Sequence, residues 1–525
     1  MRFNQPSRSD AAATVLNHEG APAYVLTPAL ELYAAVATAG LSNQFYETAG
    51  ARLARLRQLI GQADPLLVAR LAVYAREKLH LRSVPLVLAV ELARVHRGTG
   101  LVSRLVARIV QRPDELTELL AYYAAANGRT GPKTLGRLSK QLQKGLALAF
   151  HKFDGYQLAK YDRAGAVRLR DALFLVHPRP RDAAHQALFD QLTAGTLPTP
   201  YTWETALSAL GQQAFATPAD RAAAFRQRWT ELIGSGKLGY MVLLRNLRNI
   251  LEAAVPADAL AQVCATLADA RQVVRSRQLP FRFLAAYREV KLLENGVLTK
   301  ALATLGLRPA DPVPAVLDAL ETALAHSAAN LPGFGPETRV VVACDVSGSM
   351  QQPVSLRSKV LLYDVGLVLG MLLQSRCRHV VTGLFGDTWK RVTLPGTAVL
   401  RNVQELYRRA GEVGYSTNGY LVVRELRQRR EVVDKLMVFT DCQLWNSHAG
   451  SGNSLAQEWA EYRRTVAPQA RLYLFDLAGH GTTPVQVHPE HGAYLIAGWS
   501  DKIFDVLTAL ENGGSALTEI ERIEL

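Results

Sequence analysis

Three polar side chains follow an unbroken apolar run in the last third of the chain. Asp345, Ser347 and Ser349 stand at and just beyond the end of the run Arg-Val-Val-Val-Ala-Cys that begins at Arg339. A β-branched run without polar alternation predicts a strand buried on both faces of a parallel sheet, and such sheets bind ligands beyond the carboxyl ends of their strands. One carboxylate and two hydroxyls suit a hard cation such as Mg²⁺ better than zinc, which favours nitrogen and sulfur. The sequence therefore predicts half of a divalent-cation site.

The other half of this site comes from two later segments. A second apolar run, residues 435–440, is followed by Asp441, and Thr417 lies in a small polar loop. The alternative is that Asp-x-Ser-x-Ser is only a serine-rich turn, but the strand context and the remote threonine and aspartate favour a cation site. The set resembles the metal-ion-dependent adhesion site of von Willebrand factor A domains, in which a position stays open to an acidic side chain of a protein partner. Its members are Asp345, Ser347, Ser349, Thr417 and Asp441.

Composition and length limit the class of protein. The chain has 525 residues, of which 49% are hydrophobic and 20% charged, which is typical of a folded protein with large cores. The first ten residues lack the apolar core of a signal peptide, and the most apolar stretch, residues 360–373, is short and contains Asp364, so we expect a cytoplasmic protein. The four cysteines form no Cys-x-x-Cys pair, so neither disulfides nor zinc are predicted.

The positive charge is concentrated in one part of the chain. Residues 1–335 hold 40 Lys and Arg against 26 Asp and Glu, whereas residues 336–525 hold 20 of each, so the net charge of +14 lies in the first part. Residues 131–180 alone carry ten basic and three acidic side chains. This excess indicates a polyphosphate partner such as RNA, and the alternative is a solvated helical face. The candidate RNA-binding residues of this segment are Lys133, Arg137, Lys140, Lys144, Lys152, Lys160, Arg163, Arg168 and Arg170.

The pattern of apolar residues divides the chain into three parts. Residues 1–27 lack periodicity and predict an extended segment that packs on something else. Residues 28–335 read as many short helices, including 133–153, 163–175 and 297–305, and predict a stacked helical-repeat array. A linker rich in proline and glycine, residues 330–337, ends it. Residues 336–525 alternate strands and helices, which predicts a doubly wound α/β domain.

The sequence contains no recognisable catalytic constellation. It has no His-Glu-x-x-His and no Gly-x-Ser-x-Gly, and Ser347 and Ser349 lack a nearby candidate base, so we predict a protein that is not an enzyme. Besides an RNA-binding scaffold, two functions stay open. One is a metal-dependent protein-adhesion module on a helical platform. The other is a Mg²⁺-dependent nuclease, which is the weaker alternative because hydroxyl-rich one-metal sites leave a position for a partner's carboxylate instead of activating water.

Five local motifs support a resemblance to a known family. They are Leu81-Arg82-Ser83-Val84-Pro85, Lys160-Tyr161, His177-Pro178, Asp-Val-Ser-Gly-Ser-Met at 345–350 and Phe439-Thr440-Asp441. With a basic helical part before an A domain, the chain resembles the TROVE-domain family, the Ro autoantigen ribonucleoproteins and their bacterial orthologues. This resemblance implies a ring of HEAT-like helical repeats that binds small noncoding Y RNAs outside and 3′ single-stranded ends of misfolded RNAs in its central hole. It also implies RNA quality control with an exoribonuclease such as polynucleotide phosphorylase.

The resemblance adds one candidate RNA-binding residue. The lysine and histidine of the family motifs fall on Lys160 and His177 with the same spacing as in the family. The family's intervening arginine falls on Ala164, and the basic residue here is its neighbour Arg163. Neighbouring side chains on a helix point about 100° apart, so Arg163 can replace that arginine only from a loop. For His177 the alternative is a histidine that satisfies a helix-end carbonyl.

Overall fold

The structure is a computed structural model, and it describes most of the chain. The described residues are 14–38, 46–129, 138–294, 312–328, 334–354, 358, 360–395, 398–445, 454–498, 500 and 502–525. Lys133, Arg137, the predicted helix 297–305 and part of the predicted linker lie outside them. No helix within these ranges is both long and apolar enough to cross a membrane.

Seventeen described helices form the first part of the molecule. They are α1 (Pro28–Ala37), α2 (Ala49–Gln62), α3 (Pro65–Glu77), α4 (Ser83–Val95), α5 (Leu101–Ile109), α6 (Pro113–Ala126), α7 (Lys140–Phe150), α8 (Gly155–Tyr161), α9 (Leu169–Val176), α10 (Ala183–Ala194), α11 (Trp203–Gly211), α12 (Pro218–Gly234), α13 (Tyr240–Glu252), α14 (Ala257–Ala268), α15 (Ala270–Ser276), α16 (Pro280–Glu294) and α17 (Val313–Ser327). Thr27 caps α1 and Asp64 caps α3, each followed by a proline in the first turn. Neighbouring helices bury each other's apolar faces, as the pattern predicted.

The two ends of the helical array meet. His80, which follows α3, and Val273 and Val274 of α15 line the same cavity, together with Ser327 at the end of α17. Helices that are nearly 200 positions apart in sequence therefore lie beside each other, as in a ring. This confirms the predicted architecture of a ring-like helical array.

One predicted helix was wrong in its first half. The helix expected at 163–175 begins only at Leu169, and Arg163 lies in the connection between α8 and α9. The carboxylate of Asp171 accepts a hydrogen bond from the backbone N–H of Arg168 at 2.9 Å, which fixes the start of α9 there. The predicted helix at 133–153 is α7 in its described part.

The second part is a six-stranded mixed sheet between helices. Its strands are β3 (Arg339–Asp345), β4 (His379–Phe385), β5 (Trp389–Val392), β6 (Lys435–Thr440), β7 (Arg471–Asp476) and β9 (Ala493–Ala497), in the order β5-β4-β3-β6-β7-β9. Its helices are α18 (Leu362–Arg376), α19 (Val399–Arg409), α20 (Tyr420–Gln428), α21 (Leu455–Thr465), α22 (Ile503–Glu511) and α23 (Thr518–Glu521). All neighbouring strands run parallel except the edge strand β5. The predicted doubly wound domain is confirmed.

Residues 14–25 join this second domain. Strands β1 (Thr14–Leu16) and β2 (Pro22–Val25) form an antiparallel hairpin, and β2 pairs with β8 (Thr482–Thr483). From α1, the Tyr33 hydroxyl donates to the carbonyl of Ala497 at 3.0 Å. From the other end of the array, Arg288 of α16 donates to the buried Asp364 at 2.5 Å. The second domain therefore contacts both α1 and α16.

Candidate functional site

The structure brings the five predicted cation ligands to one edge of the sheet. Asp345 ends β3, and Asp441 follows the adjacent parallel strand β6. The backbone N–H of Ser347 donates to Asp345 Oδ1 at 2.9 Å, and the hydroxyls of Ser347 and Ser349 lie 3.4 Å apart. Gly348 N–H donates to the carbonyl of Tyr415 at 3.2 Å, which holds the loop of Thr417 beside them. All five side chains are buried.

The two carboxylates of this edge are buried close to each other. Burial raises the pKa of Asp345, and the charge of Asp441 raises it further. Burial also raises the pKa of Asp441, against a hydrogen bond from the Ser349 hydroxyl that lowers it. No Lys or Arg of the described ranges lies within ion-pair distance of either carboxylate. Two buried carboxylates at close range are unfavourable unless a positive charge lies between them.

The donor set fits a hard divalent cation. It consists of oxygen atoms only, from two carboxylates and three hydroxyls, and the Thr417 hydroxyl is oriented by the N–H of Trp445 at 2.5 Å. Mg²⁺ prefers such ligands, keeps some of its water and tolerates few carboxylates. The geometry can therefore hold an ion that offsets the repulsion between Asp345 and Asp441.

The structure places the basic residues around α7 to α9. Gln143 of α7 donates to the carbonyl of Leu175 at 3.1 Å, which brings the first turn of α7 beside the end of α9, where His177 lies. These side chains are exposed except for the half-buried Lys160, and none of them makes an ion pair with a described residue. We call this set the basic face; it consists of Lys140, Lys144, Lys160, Arg163, Arg168, Arg170 and His177.

Lys152 differs from the other predicted residues because the fold uses its charge. Its ammonium donates to the carbonyl of Val110 at 2.8 Å, directly after the last residue of α5. Burial lowers the pKa of Lys152. A cation at this position satisfies the carbonyls of a helix end. His177 ends α9 in the left-handed conformation with φ 50°, and it is exposed.

A second cluster of cations was missed from the sequence. Arg82, before α4, and Arg245, on α13, lie near Arg282 of α16, and burial and these two charges lower the pKa of Arg282. All three side chains reach solvent, and none makes an ion pair within the part of the chain that the structure describes. They converge because the array closes on itself. Only Arg82 stood in a motif, and residues so far apart in sequence give no local signal.

Models of two known families match the chain. The TROVE domain matches residues 35–195 and 177–327, and the Ro60 vWA domain matches residues 339–510. The chain belongs to the TROVE-domain family. The resemblance inferred from the motifs is thus confirmed for both parts of this TROVE-domain protein.

Solved and curated proteins extend this comparison. The crystal structure of the Deinococcus radiodurans RO (RSR) protein matches with a TM-score of 0.56 and 18% identity, over 93% of this chain and 100% of that chain, so the two share a fold. Telomerase protein component 1 of Mus musculus is 39% identical over 102 residues, and that of Rattus norvegicus is 38% identical over 105. These segments cover 19% and 20% of the TROVE-domain protein but only 3% and 4% of the telomerase proteins.

Proposed function

We propose that this TROVE-domain protein is an RNA-binding scaffold without catalytic activity of its own. It holds small noncoding RNAs of the Y type on the basic face. It binds single-stranded 3′ ends of misfolded RNAs at the cluster of Arg82, Arg245 and Arg282. An exoribonuclease, such as polynucleotide phosphorylase, then degrades the bound RNA, and the proposed location is the cytoplasm.

The observation that carries this proposal is the exposed, unpaired charge of the basic face. A cation that is already paired with a carboxylate must lose that partner before it binds a phosphate. Arg163, Arg168 and Arg170 have no such partner at ion-pair distance among the described residues, so each can release a counterion from RNA at no cost in internal pairs. Family membership supports RNA as the polyphosphate.

Exposed aromatic rings lie among these charges. Phe174, one turn before His177 on α9, is 60% exposed, and Tyr156 on α8 is 51% exposed. Exposed aromatic rings can stack on unpaired bases. This favours an RNA with unpaired loops or bulges over a uniform duplex.

We assign the A domain a Mg²⁺ site formed by Asp345, Ser347, Ser349, Thr417 and Asp441. A nuclease is disfavoured because the carboxylates that face these hydroxyls, Asp345 and Asp441, are themselves assigned to a single ion. The protein-adhesion alternative concerns this site alone and is compatible with RNA binding by the helices.

Sequencing of RNA that copurifies with the full chain tests the proposal. We expect enrichment of one or a few small structured RNAs with the parent protein. The variant Lys140→Glu, Lys144→Glu, Lys160→Glu should lose them, with Lys152 left intact because it holds the end of α5. The matched control is Arg378→Glu, Arg408→Glu, Arg430→Glu, which makes the same charge change on exposed arginines of the A domain. Equal RNA recovery with both variants would contradict the assignment to the basic face.

A further inference from the structure

The tip of the N-terminal hairpin lies against the loop that carries Asp441. The side-chain amide of Asn17 donates to the carbonyl of Leu444 at 2.8 Å. The backbone N–H of His18 donates to the side chain of Gln443 at 3.0 Å, and the backbone N–H of Gln443 in turn donates to Asp441 Oδ1 at 2.9 Å. Two hydrogen bonds thus connect the hairpin tip to a loop more than 420 positions away, at the proposed cation ligand.

The same tip holds Glu19 in a fixed position. Asn17 Oδ1 accepts the backbone N–H groups of Glu19 at 3.0 Å and Ala21 at 2.9 Å, which closes a tight turn. Gly20 adopts φ +76°, a conformation that favours glycine. Behind the turn, β2 pairs with β8 of the A domain. The position of Glu19 is therefore set by the hairpin and by the A domain together.

Tyr46 connects Glu19 to the cation ligands. Its hydroxyl donates to Glu19 Oε1, and Ser349 lies within hydrogen-bond reach of the same hydroxyl. The ring of Tyr46 stacks on His18 with centroids 5.0 Å apart and packs edge-on against His480 at 5.5 Å. Only the hydroxyl of Tyr46 thus separates the Glu19 carboxylate from Ser349, a proposed ligand of the ion.

Three carboxylates, those of Glu19, Asp345 and Asp441, converge here. Glu19 lies close enough to Asp441 for their negative charges to repel each other. No Lys or Arg makes an ion pair with the half-buried Glu19 in the described ranges. His480 does not supply a charge, because burial lowers its pKa to about 3. A divalent cation would attract all three carboxylates, Glu19, Asp345 and Asp441, and so offset their mutual repulsion.

We propose that Glu19 supplies the chain's own carboxylate to the cation of the A domain. This inference rests on the proposed Mg²⁺ site. The position that the sequence analysis left to an acidic protein partner is then filled from within the chain. The ion holds the hairpin against the sheet edge, so an acidic partner must displace the hairpin before it can bind.

Metal titration of the full chain tests this proposal. Mn²⁺ binding is measured by isothermal titration calorimetry for the parent, Glu19→Gln, Asp441→Asn and the control Glu204→Gln, which removes one negative charge from an exposed position of α11. Gln at position 19 can still accept the hydrogen bond of Tyr46. We expect Glu19→Gln to weaken binding roughly tenfold or more, Asp441→Asn to abolish it, and the control to leave it unchanged.

Two further readouts separate a ligand role from a structural one. Hydrogen exchange of residues 15–25 should slow when Mg²⁺ is added to the parent, and this metal-dependent protection should be absent in Glu19→Gln. In Glu19→Ala, added acetate should restore Mn²⁺ affinity, because a free carboxylate can take the vacated position. The parent should show no effect of acetate.

The outcomes distinguish the existence of the cation site from the role of Glu19 as one of its ligands. A folded parent that does not bind Mn²⁺ would overturn the cation site and, with it, the role of Glu19. If the parent binds, Asp441→Asn does not, and Glu19→Gln binds as tightly as the parent, the cation site stands and Glu19 is not a ligand. Loss of binding in Glu19→Ala without rescue by acetate would also contradict the ligand role.

Discussion

The arginines of the A domain and those of the basic face differ in their partners. In the A domain, Arg391 contacts both Glu425 and Glu431, at 3.0 and 2.6 Å. Arg424 and Arg427 share Glu458, at 2.8 and 2.9 Å. On the basic face, the arginines make no ion pair with a described residue. These A-domain arginines are used internally, whereas the arginines of the basic face are available to a partner.

Reversing the unpaired charges should have the largest effect. Lys140→Glu, Lys144→Glu, Lys160→Glu should weaken binding of the copurified RNA and flatten the slope of log K against log salt by roughly one unit per lost phosphate contact. The slope is measured by fluorescence anisotropy between low and physiological salt. The A-domain control Arg378→Glu, Arg408→Glu, Arg430→Glu should keep the parental slope. An unchanged slope in the first variant would remove the contrast between the two regions.

Breaking a pair in the A domain should change stability instead. Glu458 is buried, and Glu458→Gln leaves Arg424 and Arg427 without their carboxylate. Because both arginines are partly exposed, we expect a loss of about 1–2 kcal/mol in the free energy of unfolding, less than for a fully buried pair. Urea denaturation measures it. Glu461→Gln, which breaks an exposed pair on the same helix, should cost clearly less. Equal costs for both would mean that pairing in this domain is incidental.

The second arginine cluster should affect single strands selectively. Arg282→Gln should weaken binding of a single-stranded oligonucleotide by about tenfold, the loss of one charged hydrogen bond, and should change binding of a structured RNA little. The matched control is Arg248→Gln on α13, since Arg248 is already paired with Glu252 at 2.8 Å. Similar losses in both variants, measured by filter binding, would argue against a distinct site for single strands.

The smallest effect on RNA is expected at the cation site. Asp345→Ala combined with Ser347→Ala should leave RNA affinity within about threefold, under ~0.7 kcal/mol, because the basic face needs no metal ion to bind phosphates. Thermal melting with and without Mg²⁺ checks that the variant is folded. A large loss of RNA binding in a well-folded variant would mean that the two domains form one RNA site.

The strands and the approach of the two aspartates could be predicted because they depend on neighbouring residues and on the general geometry of parallel sheets. The valine run before Asp345 defines a buried strand, and parallel strand ends share an edge, so the approach of Asp345 and Asp441 followed from their place in the pattern. The start of α9 was missed because the side chain of Asp171 fixes it. In the sequence, this single capping residue is a weaker signal than the apolar periodicity that suggested 163–175.

What could not be predicted depends on contacts between distant segments. Glu19 reaches the cation ligands only because the hairpin pairs with β8 and binds the loop after β6. Arg82, Arg245 and Arg282 converge only because the array closes. The role of Lys152 at the end of α5 depends on how α7 packs beside that helix. None of these contacts leaves a signal in neighbouring residues.

Crosslinking tests the division between the two regions most directly. The full chain is irradiated with its copurified RNA at physiological salt, and crosslinked peptides are identified by mass spectrometry. We predict crosslinks in residues 140–177, including Phe174 and His177, with a second set near Arg282 and none at the sheet edge of Asp345. Crosslinks concentrated in the A domain, with the basic face free of them, would contradict the assignment of RNA binding to the helices.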